Sequence, residues 1–272
     1  MTVQLYMIAT PLGNLGDITL RALEMLRCLD VFFAEDSREF SKLLEALQIS
    51  TDGKRIYSYA SHNLKEATEK AIEILKSGKS VGLVTDRGTP AISDPGALVA
   101  ARAHEEGIPV IPIPGPSSVS ALLSVSGLQS TAFEFAGFLP QTDKHRHQLL
   151  DSVEARQMPL VFFESPKRIR ATLLELKSKF PNGRVFIGRE MTKKFEEYRW
   201  LDLKTFNETD VPELGEYAVL VEAGTEPKEN IAWDKEVHLR LASDKEWAKD
   251  IAQKYGVASS DIYNALQQLK KK

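Results

Sequence analysis

Val84-Thr85-Asp86-Arg87-Gly88-Thr89-Pro90-Ala91-Ile92-Ser93-Asp94-Pro95-Gly96 is the stretch that decides how this chain is built. An apolar run, Ser80 to Thr85, gives way to Gly, Thr, Pro, Ser and Asp, and only then does a helical pattern resume. The stretch is thirteen residues long, against the roughly 2–6 of an ordinary strand-to-helix connection. A loop of this kind beyond a strand's carboxyl end sits where open α/β sheets bind ligands. Its amides and hydroxyls can hold a nucleoside-like molecule.

Outward from this loop, short apolar runs alternate with amphipathic segments, the signature of parallel strands joined by helical crossovers. Val3 to Ala9, Asp30 to Ala34, Ser80 to Thr85 and Pro109 to Ile113 are the expected strands of one open, four-stranded sheet. Asn63 with Glu66 suggests a capping box and Gly78 a helix stop, while Asp94 and Pro95 open a helix that ends at Gly107. The run Ile111-Pro112-Ile113-Pro114-Gly115-Pro116 then interrupts the pattern, because proline removes ladder donors, and marks a junction. A second α/β set follows, with strands near Phe133 to Phe138, Leu160 to Glu164, Val185 to Gly188, Tyr198 to Leu203 and Tyr217 to Glu222. Its helices lie near Lys144 to Arg156 and Pro166 to Phe180. After Gly224, Thr225 to Asn230 reads as a linker, and helices at about Asp244 to Tyr255 and Ser259 to Lys271 form a helix-turn-helix-like tail. The expected domains are therefore 1–114, 115–224 and the appended 225–272.

The bulk numbers narrow the function. The 272 residues carry 35 Lys and Arg against 38 Asp and Glu, a net charge of -3, so any nucleic-acid contact must come from a local patch. The single Cys28 cannot form an internal disulfide, and its helical apolar context reads as a buried thiol. No signal-peptide pattern and no bilayer-length apolar run are visible, so a cytoplasmic protein is expected. His62, His104, His145, His147 and His238 are scattered without a Cys partner or an H-E-x-x-H pattern, and no metal site is expected.

Four further loops and one helix face carry chemistry-bearing residues. The first strand ends in Thr10-Pro11-Leu12-Gly13-Asn14-Leu15-Gly16-Asp17, which lacks the G-x-G-x-x-G that lets a backbone approach a pyrophosphate. A dehydrogenase is the last of the readings. The second strand ends in Glu35-Asp36-Ser37-Arg38, where the acids either cap the next helix or serve a site. Glu164 and Glu190 end later strands, where the plain alternative is a surface ion pair. Lys144-His145-Arg146-His147 reads as a solvated helix face, or as a phosphate contact if a cleft lies beside it.

Together, Thr10 to Thr19, Glu35 to Arg38, Asp86 to Pro90 with Ser93 to Gly96, Pro114 to Ser117, Gly137 to Pro140 and Arg189 to Lys193 resemble the tetrapyrrole methylase superfamily, and within it the branch of the ribosomal RNA small subunit methyltransferases I. The resemblance runs from about Leu5 to Gly224. It departs from the family pattern at Arg87, where a small residue is usual, and at Leu214, where a basic one is.

The resemblance implies a two-domain class III methyltransferase with a small C-terminal helical module, a homodimer, and S-adenosylmethionine in the cleft between the domains. It implies 2'-O-methylation of a cytidine in the decoding region of 16S ribosomal RNA, free or within the small subunit. Carried onto this sequence, the cofactor contacts are Pro11, Leu12, Gly13, Asp86, Gly88, Thr89, Pro90, Ser117 and Phe163. Arg38, Lys144, Arg146, Arg168 and Lys193 are the expected substrate contacts. A ribose hydroxyl must lose a proton to become a good nucleophile, so a carboxylate within reach is expected: Asp36 first, then Glu35 and Glu164. Two alternatives stand beside this reading. One is a tetrapyrrole C-methyltransferase, for which a GDP-type motif at Gly88-Thr89-Pro90 is missing; the other is a ligand-sensing nucleic-acid-binding regulator, which Lys270, Lys271 and Lys272 suit.

Overall fold

The computed structural model describes residues 3–224, 248–249, 252 and 258–269. The expected linker at 225–230, most of the first tail helix and the terminal lysines lie outside them. The chain divides into two compact units, Met1–Thr225 and Glu226–Lys272.

The first unit holds two five-stranded sheets. In the first, β1 (Leu5–Ile8), β2 (Val31–Ala34), β3 (Arg55–Ser58), β4 (Val81–Val84) and β5 (Val110–Ile113) run in the order β3-β2-β4-β1-β5. Every pairing is parallel. β2 and β4 are buried along their whole length, as parallel strands covered on both faces must be. On one face Ile8, Phe32 and Val84 meet Ala22 and Leu26 of α1 (Leu20–Cys28) and Phe40 and Leu44 of α2 (Ser37–Ala46). On the other, Leu5, Phe33 and Leu83 meet α3 (Leu64–Lys76) and α4 (Ala97–Glu105). Adjacent Phe32 and Phe33 thus point to opposite layers, the two-residue period of a strand. Gly82 sits where a Cβ would lie 2.8 Å from the Phe32 ring, so β4 carries glycine to let that ring pack.

The second sheet has β6 (Glu134–Phe138), β7 (Leu160–Glu164), β8 (Arg184–Arg189), β9 (Glu197–Asp202) and β10 (Tyr217–Glu222) in the order β6-β7-β10-β8-β9. β6 and β7 are parallel and the remaining pairs antiparallel. One face packs on α5 (Ser118–Ser126) through Val119 and Leu122. The other packs on α6 (Asp143–Arg156) and α7 (Ile169–Lys179). In the second unit, α8 (Ser259–Leu269) is described.

Several expectations are corrected. The first sheet has five strands, because the half-buried edge segment Arg55-Ile56-Tyr57-Ser58 pairs with β2. Helix α5 follows the proline-rich junction, where no helix was expected. Asp94 does not open α4: its carboxylate accepts from Ala91 N at 2.6 Å, closing the preceding turn, and Gly96 stands at the helix start. Asn63 makes no side-chain cap; its amide spans Ala60 N and the Ser58 carbonyl instead. Cys28 is exposed, since the buried stripe of α1 runs through Ala22 and Leu26 and a residue two beyond Leu26 falls on the opposite side.

Candidate functional site

The loops that leave the carboxyl ends of β1, β2 and β4 are tied into one surface. Thr10 N donates to the Gly88 carbonyl at 2.9 Å, Gly88 N returns to the Thr10 carbonyl at 3.1 Å, and Thr10 Oγ1 donates to the Thr85 carbonyl at 3.1 Å. Thr89 Oγ1 reaches the Pro116 carbonyl at 3.0 Å, which fastens the loop after β4 to the start of α5. Glu35 accepts from Thr85 Oγ1 at 2.6 Å and from Asp86 N at 3.3 Å.

Against this surface stand the ends of β6, β7 and β10, and a cleft of about 760 Å³ lies between the two sheets. Pro11, Leu12, Gly13, Glu35, Asp86, Phe163 and Glu164 line it. Gly88, Thr89 and Pro90 do not line it; Gly88 and Thr89 tie the loop to Thr10 and Pro116. Ser117 is the residue before α5 and does not line the cleft, whereas Ser118, the first of the helix, does. Asp94, Ile92, Phe138 and Met191 also line it; the sequence offers Asp94 only as a helix opener and gives the other three no role. Asp94 and Ile92 lay inside the decisive loop, and Phe138 inside a quoted motif.

Among the described residues six non-glycines have positive φ, and four of them, Ala91 (+69°), Ser93 (+96°), Glu190 (+49°) and Thr192 (+66°), flank this cleft. Such backbone costs of order 1–3 kcal/mol per residue and gathers at ligand sites. Six of the lining residues are acidic, Glu35, Glu39, Asp86, Asp94, Glu164 and Glu216, and two are basic, Lys42 and Arg87. Lys42 is held by Glu39 at 2.7 Å and Arg87 by Glu216. A cleft so charged repels a pyrophosphate and suits a cationic ligand, while Leu12, Met191, Phe163 and Ala218 supply apolar surface.

The carboxylates differ in what holds them. Asp36 is bound by Arg38 through its guanidinium (2.8 and 3.2 Å) and its backbone N–H (2.8 Å). Arg38 therefore keeps this carboxyl well below the usual range. Asp86 is pushed up, chiefly by burial and then by the carboxylates of Glu35, Asp36 and Glu39, against one hydrogen bond from Asp36 N. Asp94 is likewise raised, by burial first and Glu35 next. Glu164 is buried and saturated: Ser165 N (2.8 Å), Arg168 (3.0 Å) and Thr172 Oγ1 (2.7 Å) all donate to it. It is no surface ion pair, and it anchors the start of α7.

The expected substrate contacts separate. Arg168 also donates to the Leu139 carbonyl at 3.1 Å. Lys193 joins Glu190 and Glu216, both at 2.8 Å, and with Arg87 forms a chain of ion pairs between the two sheets; Lys193 lowers the Glu190 carboxyl. Lys144 and Arg146 lie on α6 and do not line the cleft, and Arg146 is bonded to Glu175 of α7 at 3.1 Å. Among the described residues no His, Cys, Asp and Glu group is arranged to hold a metal, and no helix is long and apolar enough to cross a membrane.

Comparison with known proteins agrees with this architecture. The sequence model of the Tetrapyrrole (Corrin/Porphyrin) Methylases matches residues 4–206. The ribosomal RNA small subunit methyltransferase I of Halalkalibacterium halodurans is 37% identical over 97% of this chain and 94% of its own length. That of Mesorhizobium japonicum is 40% identical over 98% and 92%. Among solved structures, diphthine synthase aligns with a TM-score of 0.63 at 17% identity, covering 80% of this chain and 90% of that one. The methyltransferase CobJ gives 0.62 at 15%, covering 81% and 94%. These two likenesses speak for the fold alone.

Proposed function

The chain belongs to the tetrapyrrole methylase family, in its ribosomal RNA small subunit methyltransferase I branch, and from that premise we propose that it transfers a methyl group from S-adenosylmethionine to the ribose 2'-hydroxyl of a cytidine in the decoding region of 16S ribosomal RNA. Similarity to methyltransferases of that name over nearly the whole of both chains carries the reading. That the chain is a methyltransferase follows from its family.

The cleft fits the cofactor. Its surplus of carboxylates complements the ammonium and sulfonium charges, and Leu12, Met191 and Phe163 offer apolar surface to an adenine ring. Bound there, the sulfonium supplies an electrophilic methyl group on a neutral leaving thioether. The chain's remaining tasks are to align the acceptor, exclude water and accept one proton.

Asp86 is the carboxylate suited to accept that proton. It lines the cleft and its basicity is raised, whereas Asp36 is held as an anion by Arg38. Asp36 serves instead to position it, with its backbone N–H on Asp86 Oδ1 at 3.0 Å, while Glu35 fixes the neighbouring Thr85 hydroxyl and Asp86 N–H. Glu164 is left to hold Arg168 and α7.

The same reading takes residues 1–114 and 115–224 as the domains flanking the cofactor, residues 225–272 as an RNA-binding module, a homodimer as the working form and the cytoplasm as its place. Mapping ribose methylation in 16S RNA from cells lacking the protein tests it: one missing 2'-O-methyl on a decoding-region cytidine is expected. An unchanged methylation map would refute it.

A further inference from the structure

Strand β6 carries an irregularity that the methyl-transfer reading leaves unused. Its register against β7 shifts between Phe135 and Phe138, and Gly137 within the shift has a φ of +64°, a conformation open to glycine. In a regular strand, residues three apart point to opposite faces. Here both Phe135 and Phe138 meet the Phe163 ring edge-on, with centroids 5.2 and 5.7 Å apart. A bulge beside a site re-aims a side chain. A Cβ at Gly137 would lie 2.5 Å from Ser93 Oγ, so the bend is pinned against the loop after β4.

The ring thus re-aimed is not buried. Phe138 is 57% exposed and lines the cleft, and Ile92, 44% exposed, lines it too. Exposed apolar surface gathered in a cleft marks a place that something covers. Lys167 is exposed and has no hydrogen-bond or ion-pair partner among the described residues. Strands β6 and β7 run parallel with Phe138 opposite Phe163, and Arg168 donates to the carbonyl of Leu139, the residue after Phe138, so the loop that carries this free cation adjoins the strand end that carries the ring. An exposed aromatic face in a cleft, with a free cation on the adjoining loop, is the combination that holds an unstacked nucleotide.

We propose that Phe138 is the platform on which the base of the acceptor nucleotide stacks, with Lys167 meeting an adjoining phosphate; this rests on the RNA-methylation reading above. A nucleotide drawn into a cleft leaves the stacking of its neighbours, and the ring replaces that contact. Stacking is tolerant of base identity, so Phe138 gives affinity and orientation and does not by itself select a cytidine.

The test uses the full chain with unmethylated small ribosomal subunits. Phe138→Leu is expected to leave the Kd for S-adenosylmethionine within about twofold and to raise KM for the subunits roughly tenfold, the loss of one stacked base. Phe138→Trp is expected to restore KM, and Lys167→Ala to raise it a few-fold while flattening its salt dependence. An unchanged KM in Phe138→Leu overturns the proposal. So does a loss of cofactor affinity matching the loss for RNA, which would make the ring a cofactor contact. If the unaltered chain methylates no small-subunit RNA, the functional reading has failed, visibly before any variant is made, and this proposal falls with it.

Discussion

The backbone N–H of Asp36 donates to Oδ1 of Asp86 at 3.0 Å, so the end of β2 positions the carboxylate that leads the loop after β4. Asp36 is held by Arg38 and kept acidic, while Asp86 is made more basic by burial and by its acidic neighbours. Asp86→Asn is therefore expected to slow single-turnover methyl transfer by about 100- to 10,000-fold at saturating cofactor. Asp36→Asn keeps its backbone N–H and should cost less than about tenfold, the upper limit for a positioning residue here. If the Asp86→Asn defect lies in cofactor affinity alone, Asp86 is a cofactor contact and not the base.

The pH profile follows from the same pair. The base must be ionised to act, so the rate falls as pH drops through the raised Asp86 pKa. Asp36→Asn removes a neighbouring negative charge that helps to raise it, so the acid limb should move to lower pH. A limb that stays in place or moves up would separate the two carboxylates.

Asp94 links the site to stability. Burial raises its carboxyl, so the native state binds its proton more tightly than the unfolded chain. Its contribution favours folding at low pH and fades as pH rises through the raised pKa. Asp94→Asn keeps an acceptor for Ala91 N and should stabilise the protein at pH 7 by about 1 kcal/mol, the usual scale when a strained functional group is relieved. The gain should vanish below about pH 4, where the unfolded chain's carboxyl is itself protonated. Melting curves at both pH values check this, and cofactor affinity should fall alongside.

Glu164 is expected to matter for folding. Glu164 has no side-chain exposure and three donors on its carboxylate, so Glu164→Ala takes the counter-charge from Arg168, leaving it only the Leu139 carbonyl, and leaves the buried Thr172 hydroxyl without its acceptor. A loss of about 3–5 kcal/mol is expected, read from urea unfolding with an unchanged m-value. Glu164→Gln should lose less. A variant of wild-type stability with no activity would return Glu164 to the chemistry.

Arg87 and Glu216 are half-exposed, at 47% and 61%, and pairs of that kind contribute under about 1 kcal/mol to stability. Their pair nevertheless spans the cleft. Arg87→Ala should leave the melting temperature nearly unchanged and weaken cofactor binding several-fold, with the difference shrinking at high salt. Calorimetry at low and high salt decides between this role and a decorative surface contact.

The layers of the molecule are legible in the residues alone. Val31-Phe32-Phe33-Ala34 and Val81-Gly82-Leu83-Val84 are apolar throughout because both faces of a parallel strand are covered, and such runs are legible without coordinates. The loop chemistry of Asp86 to Gly96 was equally legible, since Gly, Pro, Ser and Asp announce turns by their own backbone preferences. Arg55 to Ser58 was not, because a four-residue edge strand with a polar start has no pattern of its own and is a strand only through pairing with β2. Ser118 to Ser126 was hidden by its serines, which weaken a local helix signal that Val119 and Leu122 recover by packing.

Which carboxylates differ in basicity and which rings meet depends on residues far apart in the chain that folding brings together. Asp36 and Asp86 are 50 positions apart, and Arg87 and Glu216 are 129. A carboxyl's pKa depends on charges and donors within a few ångströms and on its burial, and none of these is a property of the residue's own neighbourhood in the chain. Phe138 makes the same point, because a single left-handed Gly137 turns it into the cleft, and only the register against β7 records that turn.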